Sequence, residues 1–299
     1  MRHRTALSTV AATLCAALAL TLPTHTAQAR AARTITVYGH RGAAAYAPEN
    51  TLSSVQRAAD LGTRWVENDV QRTRDGALVV IHDTTLARTT DAKRRYPGRS
   101  PWSVGSFTLA EIKTLDAGGW FAPRFHGERV PTLAEYLGRL DRTGQGLLLE
   151  LKRPELYPGI EDQTLRALAR AGWLDGPHLA RRLVVQSFSA PALRTTHRLR
   201  PAVRTGFLGN PPVSELKRYA AFADQINPEQ RAVTSPYVKA VHTTLGPHRL
   251  PMRVNAWTVD SAPDATRLVG LGVDGLITNR PDVIAKATRR SLPGAVRSR

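Results

Sequence analysis

The stretch Arg64–Asp83, RWVENDVQRTRDGALVVIHD, carries the strongest fold signals in this chain. Its first residues are typical of a strand, and the acids Glu67 and Asp69 stand two positions apart on it. Side chains on a strand alternate between two faces, so both carboxylates point the same way. Arg74-Asp75-Gly76 predicts a tight turn, and the apolar run after it brings His82 level with the two acids. The alternative is an edge hairpin whose charges face solvent.

Short strands and helical patterns alternate along the rest of the chain. Eight strands are predicted, at residues 34–38, 64–70, 147–151, 183–187, 203–207, 224–227, 252–257 and 274–278. Helical patterns fill most of the gaps, and Thr51 is predicted to cap the first helix. Eight alternations favour an α/β fold, the (β/α)8 TIM barrel, which typically takes ~250 residues. A doubly wound open sheet is the structural alternative.

One region interrupts this alternation, between the second and third predicted barrel strands. Residues 84–130 hold a basic turn at Lys93–Arg95, a short helical pattern at Thr108–Leu115 and the sequence DAGGWF at 116–121. A connection of this length in a compact domain is usually functional or disordered. The aromatic residues and turn signals predict an ordered cap over the mouth of the barrel.

The first 29 residues have the pattern of an export signal. Two arginines precede an apolar run, and Ala27-Gln28-Ala29 fits a cleavage site of small residues. The run is shorter than the ~20 apolar residues of a membrane span, so a retained anchor is the weaker alternative. We therefore expect a secreted barrel domain at residues 30–299. Cys15, the only cysteine in the sequence, would be removed, which excludes disulfides and thiolate chemistry from the mature chain.

The sequence is strongly basic. Its formal net charge is +18 at pH 7, and removal of the two arginines in the signal leaves +16. Such a charge attracts anionic partners over long distances. The sequence shows no basic run interleaved with stacking aromatics, so a nucleic-acid partner is not expected. We expect affinity for phosphate-bearing molecules and peripheral attraction to anionic surfaces, without a stable membrane anchor.

Three acidic residues are predicted to meet at one end of the barrel. Glu67 and Asp69 lie near the end of the second strand and Glu150 near the end of the third, where barrels of this kind build active sites. Two like charges ~4 Å apart repel by about 4 kcal/mol at an effective dielectric of 20, so the cluster needs neutralising. An all-oxygen ligand set suits Mg²⁺, Ca²⁺ or Mn²⁺. The alternative is a metal-free network in which Lys152 pairs with the acids.

Other polar residues follow the same ends of the predicted strands. His40 and His82 would flank the acids, where one imidazole can accept a proton and the other donate one. Arg41 has a forked guanidinium that suits phosphate. Trp257 either packs against a small polyol or fills the barrel mouth. The remaining candidates are predicted to be structural: Ser187, His126, His178, His197, His242 and His248.

At these residues the chain resembles the glycerophosphodiester phosphodiesterase family, in its secreted bacterial form. Asn68 stands where that family more often has an apolar residue or threonine, and strand alternation predicts that it points away from the site. The matching segments run in the family's order over nearly all of the mature chain: GHRG (39–42), PENT (48–51), VENDVQRTRDGALVVIHD (66–83), LARTTD (86–91), LDAGGWF (115–121), VPTLAEYL (130–137), LLELK (148–152), QSF (186–188), AWTVD (256–260) and GVDGLITNRPD (272–282).

The resemblance implies a reaction and a role for each site residue. The reaction is hydrolysis of a glycerophosphodiester, such as glycerophosphocholine, glycerophosphoethanolamine or a glycerol-phosphate polymer, to sn-glycerol 3-phosphate and an alcohol. The attacking group is either the neighbouring glycerol hydroxyl or water, and both routes stay open. The implied roles are acid–base catalysis by His40 and His82, binding of Mg²⁺ or Ca²⁺ by Glu67, Asp69 and Glu150, and phosphate binding by Arg41 and Lys152.

Two other functions stay open at the level of sequence. A lysophospholipase D or sphingomyelinase-D-like phosphodiesterase has a similar barrel and histidine pair, and bulky apolar surface around the mouth would favour it. A catalytically silent barrel that binds anionic polymers through its net charge is the non-enzymatic alternative. Such a protein should have lost some of the motif residues, yet all of them are present.

Overall fold

The computed structural model describes residues 34–291, with side chains through residue 289. The predicted export signal and the tail after residue 291 lie outside the described residues. The strands in this range are β1 (Thr36–Gly39), β2 (Trp65–Arg72), β3 (Leu78–Val80), β4 (Gly146–Leu151), β5 (Leu183–Ser187), β6 (Thr205–Leu208), β7 (Gln225–Asn227), β8 (Arg253–Ala256) and β9 (Gly275–Thr278).

The α-helices cover the outside of these strands and form part of the insertion between β3 and β4. None of them, within the described range, is both long enough and apolar enough to cross a membrane. They are α1 (Leu52–Asp60), α2 (Ala92–Arg95), α3 (Leu109–Thr114), α4 (Leu133–Thr143), α5 (Ile160–Arg170), α6 (Gly176–Arg181), α7 (Ala190–Leu199), α8 (Leu216–Tyr219), α9 (Ser235–His242), α10 (Ala262–Leu271) and α11 (Pro281–Ser291).

Eight of the strands described above close into a parallel barrel. Their order is β1, β2, β4, β5, β6, β7, β8 and β9, and β9 pairs back to β1. Each of the eight predicted strands overlaps one of them. The predicted (β/α)8 barrel is therefore confirmed, and the open-sheet alternative is wrong because both edges of the sheet are joined.

The third strand is the returning arm of a hairpin, as predicted. It pairs antiparallel with β2, with Val70 opposite Val80, and the Ile81 amide donates to the Asp69 carbonyl at 2.9 Å. This register places His82 one residue beyond the ladder, beside the acids. The edge-hairpin alternative is wrong, because β2 also pairs with β1 and β4 and its acids are buried.

Two of the helices, α1 and α4, begin at threonine caps. The Thr51 hydroxyl accepts from the Ser54 amide at 3.2 Å, which confirms the predicted cap of α1. Thr132 and Glu135 form a reciprocal capping box at α4. Such caps are worth ~1 kcal/mol each. The caps fix where α1 and α4 begin, and these two helices pack against each other.

The segment 84–130 folds around apolar residues of its own. It contains α2, α3 and two short 3₁₀ turns, at Val104–Ser106 and Pro123–Phe125. The residues of its buried cluster come from the segment itself and from the hairpin: Val79, Ile81, Leu86, Ala92, Val104, Phe107, Ile112, Leu115, Ala117 and Val130. Since this cluster includes two hairpin residues, the insertion is anchored to the strand that leads to His82.

The interior of the barrel changes character along its axis. Alternate strand residues point inward, and four of them, Tyr38, Leu148, Val184 and Ile277, form a buried apolar cluster. Farther along the same strands the inward residues become acids and amides. The polar layer thus rests on an apolar floor, and it faces the loops at the carboxyl ends.

Candidate active site

Three carboxylates meet in the polar layer. Asp69 on β2 lies opposite Glu150 on β4 in the strand register, and Glu67 is one inward position earlier. Ligand oxygens of the three residues lie within 4.8 Å of one another, and at most 5 % of any of them is exposed. Burial, with the charges of Asp69 and Glu150, raises the pKa of Glu67 well above its ordinary value. Burial and Asp69 raise the pKa of Glu150 to about 8.

The donor set of this cluster fits a divalent cation. The Asp69 Oδ1 atom is buried without a hydrogen-bond partner. Lys152 Nζ lies 3.0 Å from Glu150 and 3.5 Å from Asp69. Among the described residues, no side-chain nitrogen of lysine or arginine lies within 4.0 Å of Glu67, so a Glu–Lys network leaves the cluster incompletely neutralised. Three converging carboxylate oxygens are what Mg²⁺ or Ca²⁺ prefers.

A tight turn after β1 brings His40 and Arg41 to the cluster. A Cβ on Gly39 would lie 2.1 Å from the Gly42 carbonyl oxygen, and Gly42 has a φ of +92°, so both positions require glycine. Arg41 has a φ of +52°, and its amide donates to Glu67 Oε2 at 3.0 Å. The carboxylate thus stabilises an unfavourable backbone conformation that aims both side chains at the barrel mouth.

The segment PENT supplies two residues that the sequence analysis did not assign to the site. Asn50 Nδ2 donates to Asp69 Oδ2 at 2.9 Å, and its backbone amide donates to the Arg41 carbonyl. Glu49 accepts from the Arg41 guanidinium at 2.8 Å. Burial opposes ionisation of Asp69, but Arg41 and Lys152 outweigh it and lower the pKa of Asp69. The position of this segment five residues after the GHRG turn was the available signal.

His82 is held through its Nδ1 atom by a carboxylate. Nδ1 lies 2.7 Å from Asp83 Oδ1, and Arg88 donates to both oxygens of Asp83, at 2.7 and 2.9 Å. Arg88 also makes two 2.8 Å bonds to Glu49. The chain of ion pairs therefore joins His82 to Arg41 through the start of the insertion. Asp83 and Arg88 were not predicted as site residues.

The Nε2 atom of His82 lies 2.9 Å from Lys152 Nζ. Burial opposes the lysine charge, but Asp69 and Glu150 outweigh it and raise the pKa of Lys152, so the ammonium donates. Burial, Arg41 and Lys152 lower the pKa of His82, against the opposing effect of Asp69. The ring is therefore neutral in this state, with its proton on Nδ1.

His40 is held by a neutral amide instead. Its Nδ1 lies 2.8 Å from Asn279 Oδ1, and Asn279 Nδ2 donates to Asp260 at 2.7 Å, which orients the amide so that the ring must donate. Burial, with the nearby Arg41 charge, lowers the pKa of His40 to about 4. Its Nε2 atom is 4.0 Å from Glu67. Neither Asn279 nor Asp260 was assigned a role from sequence, although Asn279 directly follows the eighth predicted strand and Asp260 lies three residues after the seventh.

A chain of buried amides forms the opposite wall. Asn255 Nδ2 donates to Gln225 and to Asn227, at 2.8 and 3.0 Å. Asn227 donates to Gln186 at 2.9 Å, and Gln186 Nε2 lies 3.5 Å from Glu67 Oε1. This wall carries no charge and satisfies its own hydrogen bonds.

One cavity of about 290 Å³ joins these groups. His40, Arg41, Glu67, His82, Glu150 and Lys152 line it on one side, and Gln186, Phe188, Leu208 and Trp257 on the other. Trp257 donates its indole N–H to the Asn227 carbonyl at 2.8 Å and packs edge-to-face on Phe188, with ring centroids 5.6 Å apart. Phe188 is 51 % exposed and was not predicted as a site residue.

The side chains expected to be structural lie outside this cavity. Ser187 is buried, and its hydroxyl donates to the Leu151 carbonyl at 2.9 Å. Four of the five remaining histidines contact acids elsewhere: His126 with Asp116, His178 with Asp175, His242 with Asp274 and His248 with Asp224.

Comparison with known sequences identifies the family of the chain. The chain matches the model of the glycerophosphoryl diester phosphodiesterase family over residues 40–283. It is 33 % identical to a glycerophosphodiester phosphodiesterase of Bacillus subtilis, over 86 % of this chain and 87 % of that protein. It is also 33 % identical to one from Caldanaerobacter subterraneus, over 85 % of this chain and 98 % of that protein.

Solved structures show the same barrel. A phosphodiesterase of Oleispira antarctica, determined in complex with the product sn-glycerol-3-phosphate, aligns with a TM-score of 0.70 and 30 % identity, over 85 % of this chain and 96 % of that one. A glycerophosphodiester phosphodiesterase of Agrobacterium tumefaciens aligns with a TM-score of 0.67 and 27 % identity, over 85 % and 100 % of the two chains. The family match at residues 40–283 spans the positions of His40, His82 and the three acids. The chain therefore belongs to the glycerophosphoryl diester phosphodiesterase family.

Proposed function

We propose that this protein hydrolyses glycerophosphodiesters to sn-glycerol 3-phosphate and an alcohol, using two histidines and a divalent cation. The observation that carries the proposal is a single cavity lined by His40, His82, Glu67 and Glu150, with Asp69 buried beside these two carboxylates. Family membership supports the reaction, and the Oleispira relative binds the expected product.

Glu67, Asp69 and Glu150 are the residues that would hold Mg²⁺ or Ca²⁺. A bound divalent ion would neutralise their mutual repulsion and lower the pKa of a hydroxyl group beside it. Arg41 and Lys152 supply positive charge on the same side of the cavity. We assign them to the phosphate oxygens, which a guanidinium and an ammonium bind through charge-assisted hydrogen bonds.

The different supports of the two rings favour different roles in proton transfer. His40 is neutral, and its proton is fixed on Nδ1, so Nε2 is oriented to accept the proton of the attacking hydroxyl. His82 rests against the Asp83 carboxylate, which stabilises an imidazolium. We assign His82 as the acid that protonates the departing alkoxide as the phosphorus–oxygen bond breaks. Binding of phosphate by Lys152 would free the His82 Nε2 atom to take up a proton from solvent, and His82 would then deliver this proton to the alkoxide.

The shape of the cavity favours a small polar substrate over a lipid. Its volume of about 290 Å³ suits glycerol phosphate, and Phe188 and Trp257 offer apolar faces to the glycerol carbons. Among the large apolar residues that are exposed in the described chain, Phe188 alone lines this cavity. A lysophospholipase D would need a broader apolar surface for its acyl chain.

The direct test is release of glycerol 3-phosphate from glycerophosphocholine, with and without a chelator. We expect release that stops when the chelator is added and returns with excess Mg²⁺ or Ca²⁺. No release under any condition would refute the function, and release that the chelator leaves unchanged would refute the cation. Faster cleavage of lysophosphatidylcholine than of glycerophosphocholine would favour the lipid-directed alternative.

We also propose that the protein is exported, on the basis of its first 29 residues. Expression in a bacterial host with and without residues 1–29, followed by assay of cells and medium, tests this. Retention of the full-length chain in the cytoplasm would contradict it. The metal and catalytic assignments do not depend on the result.

A further inference from the structure

A second groove, of about 540 Å³, lies outside the catalytic cavity. It is bounded by the loop between β1 and α1, by the exposed sides of α1 and α4, and by the 3₁₀ turn at Pro123–Phe125. Its charged lining consists of Arg57, Arg124, Arg139 and Asp60. Three guanidinium groups thus share one depression with one carboxylate.

None of these arginines is neutralised by an acid in the described part of the chain, since none has a carboxylate oxygen within 4.0 Å. The Arg57 and Arg124 guanidinium carbons lie 5.7 Å and 4.7 Å from the centroids of the Tyr46 and Phe125 rings. These aromatic contacts orient a guanidinium and leave its N–H groups available.

Arg139 has a donor that no protein group satisfies. Its NH1 atom donates to Gln56 Oε1 at 3.3 Å, but its Nε atom is buried without a hydrogen-bond partner. The amide of Gln56 in turn donates to Asp60 at 2.9 Å, so the acid of the groove is already engaged. An anion in the groove would supply the acceptor that the buried Nε lacks.

The groove begins next to the catalytic site. Ala45, which lines it, stands four residues after Arg41, so the two lie at most ~14 Å apart along the chain. A substrate with several phosphates could therefore occupy both places at once. A single-phosphate substrate such as glycerophosphocholine could occupy only one.

We propose that this groove is an accessory phosphate site that binds a second phosphodiester of a glycerol-phosphate polymer while the first is cleaved. The inference rests on the proposed function for the identity of the polymer. The observations favour a polymer over a membrane surface. Membrane-binding faces combine basic with exposed apolar side chains, and none of the large exposed apolar residues of the described chain lines this groove.

The test compares two triple variants with equal loss of charge. In the first, Arg57, Arg124 and Arg139 are each replaced by Gln. In the control, Arg198, Arg200 and Arg218, which are exposed on or next to α7 and α8 across the barrel, are replaced in the same way. Both are assayed on glycerophosphocholine and on a short glycerol-phosphate oligomer.

We expect the groove variant to raise KM for the oligomer about tenfold, equivalent to ~1.4 kcal/mol, and to leave glycerophosphocholine unchanged. Equal changes in the two triple variants would overturn the proposal, because they would reflect general attraction by net charge. Loss on both substrates in the groove variant alone would also overturn it. If the triple variant does not fold, the double variant of the exposed Arg57 and Arg124 replaces it.

Direct binding separates this proposal from the proposed function. Calorimetric titration of the oligomer into wild type and groove variant needs no turnover. Wild type could cleave neither substrate and still bind the oligomer more tightly than the groove variant does. That result would refute the proposed reaction and support the accessory phosphate site. The groove variant could instead bind phosphatidylglycerol vesicles more weakly than wild type does, with oligomer binding unchanged. That result would show that the groove contacts a membrane, and it would overturn the proposal of a polymer site.

Discussion

The polar layer of this barrel has two arcs built from different chemistry. The charged arc has Glu67, Asp69 and Glu150 on β2 and β4 at its centre, and the segments that follow β1 and β3 add His40 and His82. The amide arc, on β5, β7 and β8, carries the neutral side chains Gln186, Gln225, Asn227 and Asn255. Both arcs are buried, so the difference lies in how each satisfies its polar groups.

The amide arc is complete without a ligand. Each of its members donates to or accepts from the next, so folding itself satisfies them. The charged arc is incomplete, because two of its carboxyls have raised pKa values and Asp69 Oδ1 accepts no hydrogen bond, although Lys152 Nζ lies 3.5 Å from it. We infer from this difference that the proposed binding and chemistry take place in the unsatisfied arc. The satisfied arc gives it a rigid wall.

The largest expected effect is on proton transfer in the charged arc. Replacing His82 with Ala should lower kcat by ~10²–10⁴, because a general acid is lost. Steady-state assay of glycerophosphocholine hydrolysis measures the change, and circular dichroism checks the fold. His242→Ala, which removes a histidine outside the cavity, is the matched control and should leave kcat unchanged. Wild-type kcat in His82→Ala would show that His82 moves no proton.

The second effect is a rise in the free energy of unfolding of the protein when Mg²⁺ or Ca²⁺ binds to the charged arc. At a concentration ~100 times its Kd, an ion that binds only the native state stabilises it by ~2.7 kcal/mol. Glu150→Gln should abolish most of this gain and change the ion-free protein little, since burial and Asp69 already hold the pKa of Glu150 at about 8. Urea unfolding with and without the ion measures both. An equal gain in Glu150→Gln would remove Glu150 from the ligand set.

A third experiment breaks the amide arc. Asn227→Val leaves Gln186 Oε1 and Asn255 Nδ2 short of a buried partner, which should lower the free energy of unfolding by ~1–3 kcal/mol. We expect the ion-dependent gain in stability to persist, because Asn227 does not contact the acids. An unchanged free energy of unfolding would show that the amide network contributes no stability.

The smallest expected effect is a gain in the free energy of unfolding, from replacing a buried amide that belongs to neither arc. Asn68 lies between Glu67 and Asp69 but is not part of either arc; both its side-chain polar atoms are buried without a partner. Asn68→Val should therefore raise the free energy of unfolding by ~1 kcal/mol. Urea unfolding of the two Asn→Val variants side by side checks this. A loss of stability in Asn68→Val would mean that the amide is satisfied in solution.

Much of the charged arc could be predicted from sequence, because its signals are local. Glu67 and Asp69 share a face through strand alternation, and a turn of known type returns the chain to His82. The partners of the histidines could not be predicted in this way. Asn279 is 239 residues from His40, and nothing in the local pattern of either residue specifies the other. Their contact requires the closure of β9 on β1.

The sequence by itself determined the order of strands and helices, the acids that share a strand face and the residue types available for chemistry, because side-chain alternation and turn preferences depend on neighbours in the chain. Only the tertiary structure decided which carboxyls have raised pKa values, which amides complete one another and which arginines stay without an acid. Those properties depend on burial and on distances between segments far apart in sequence, and these exist only once the barrel has closed.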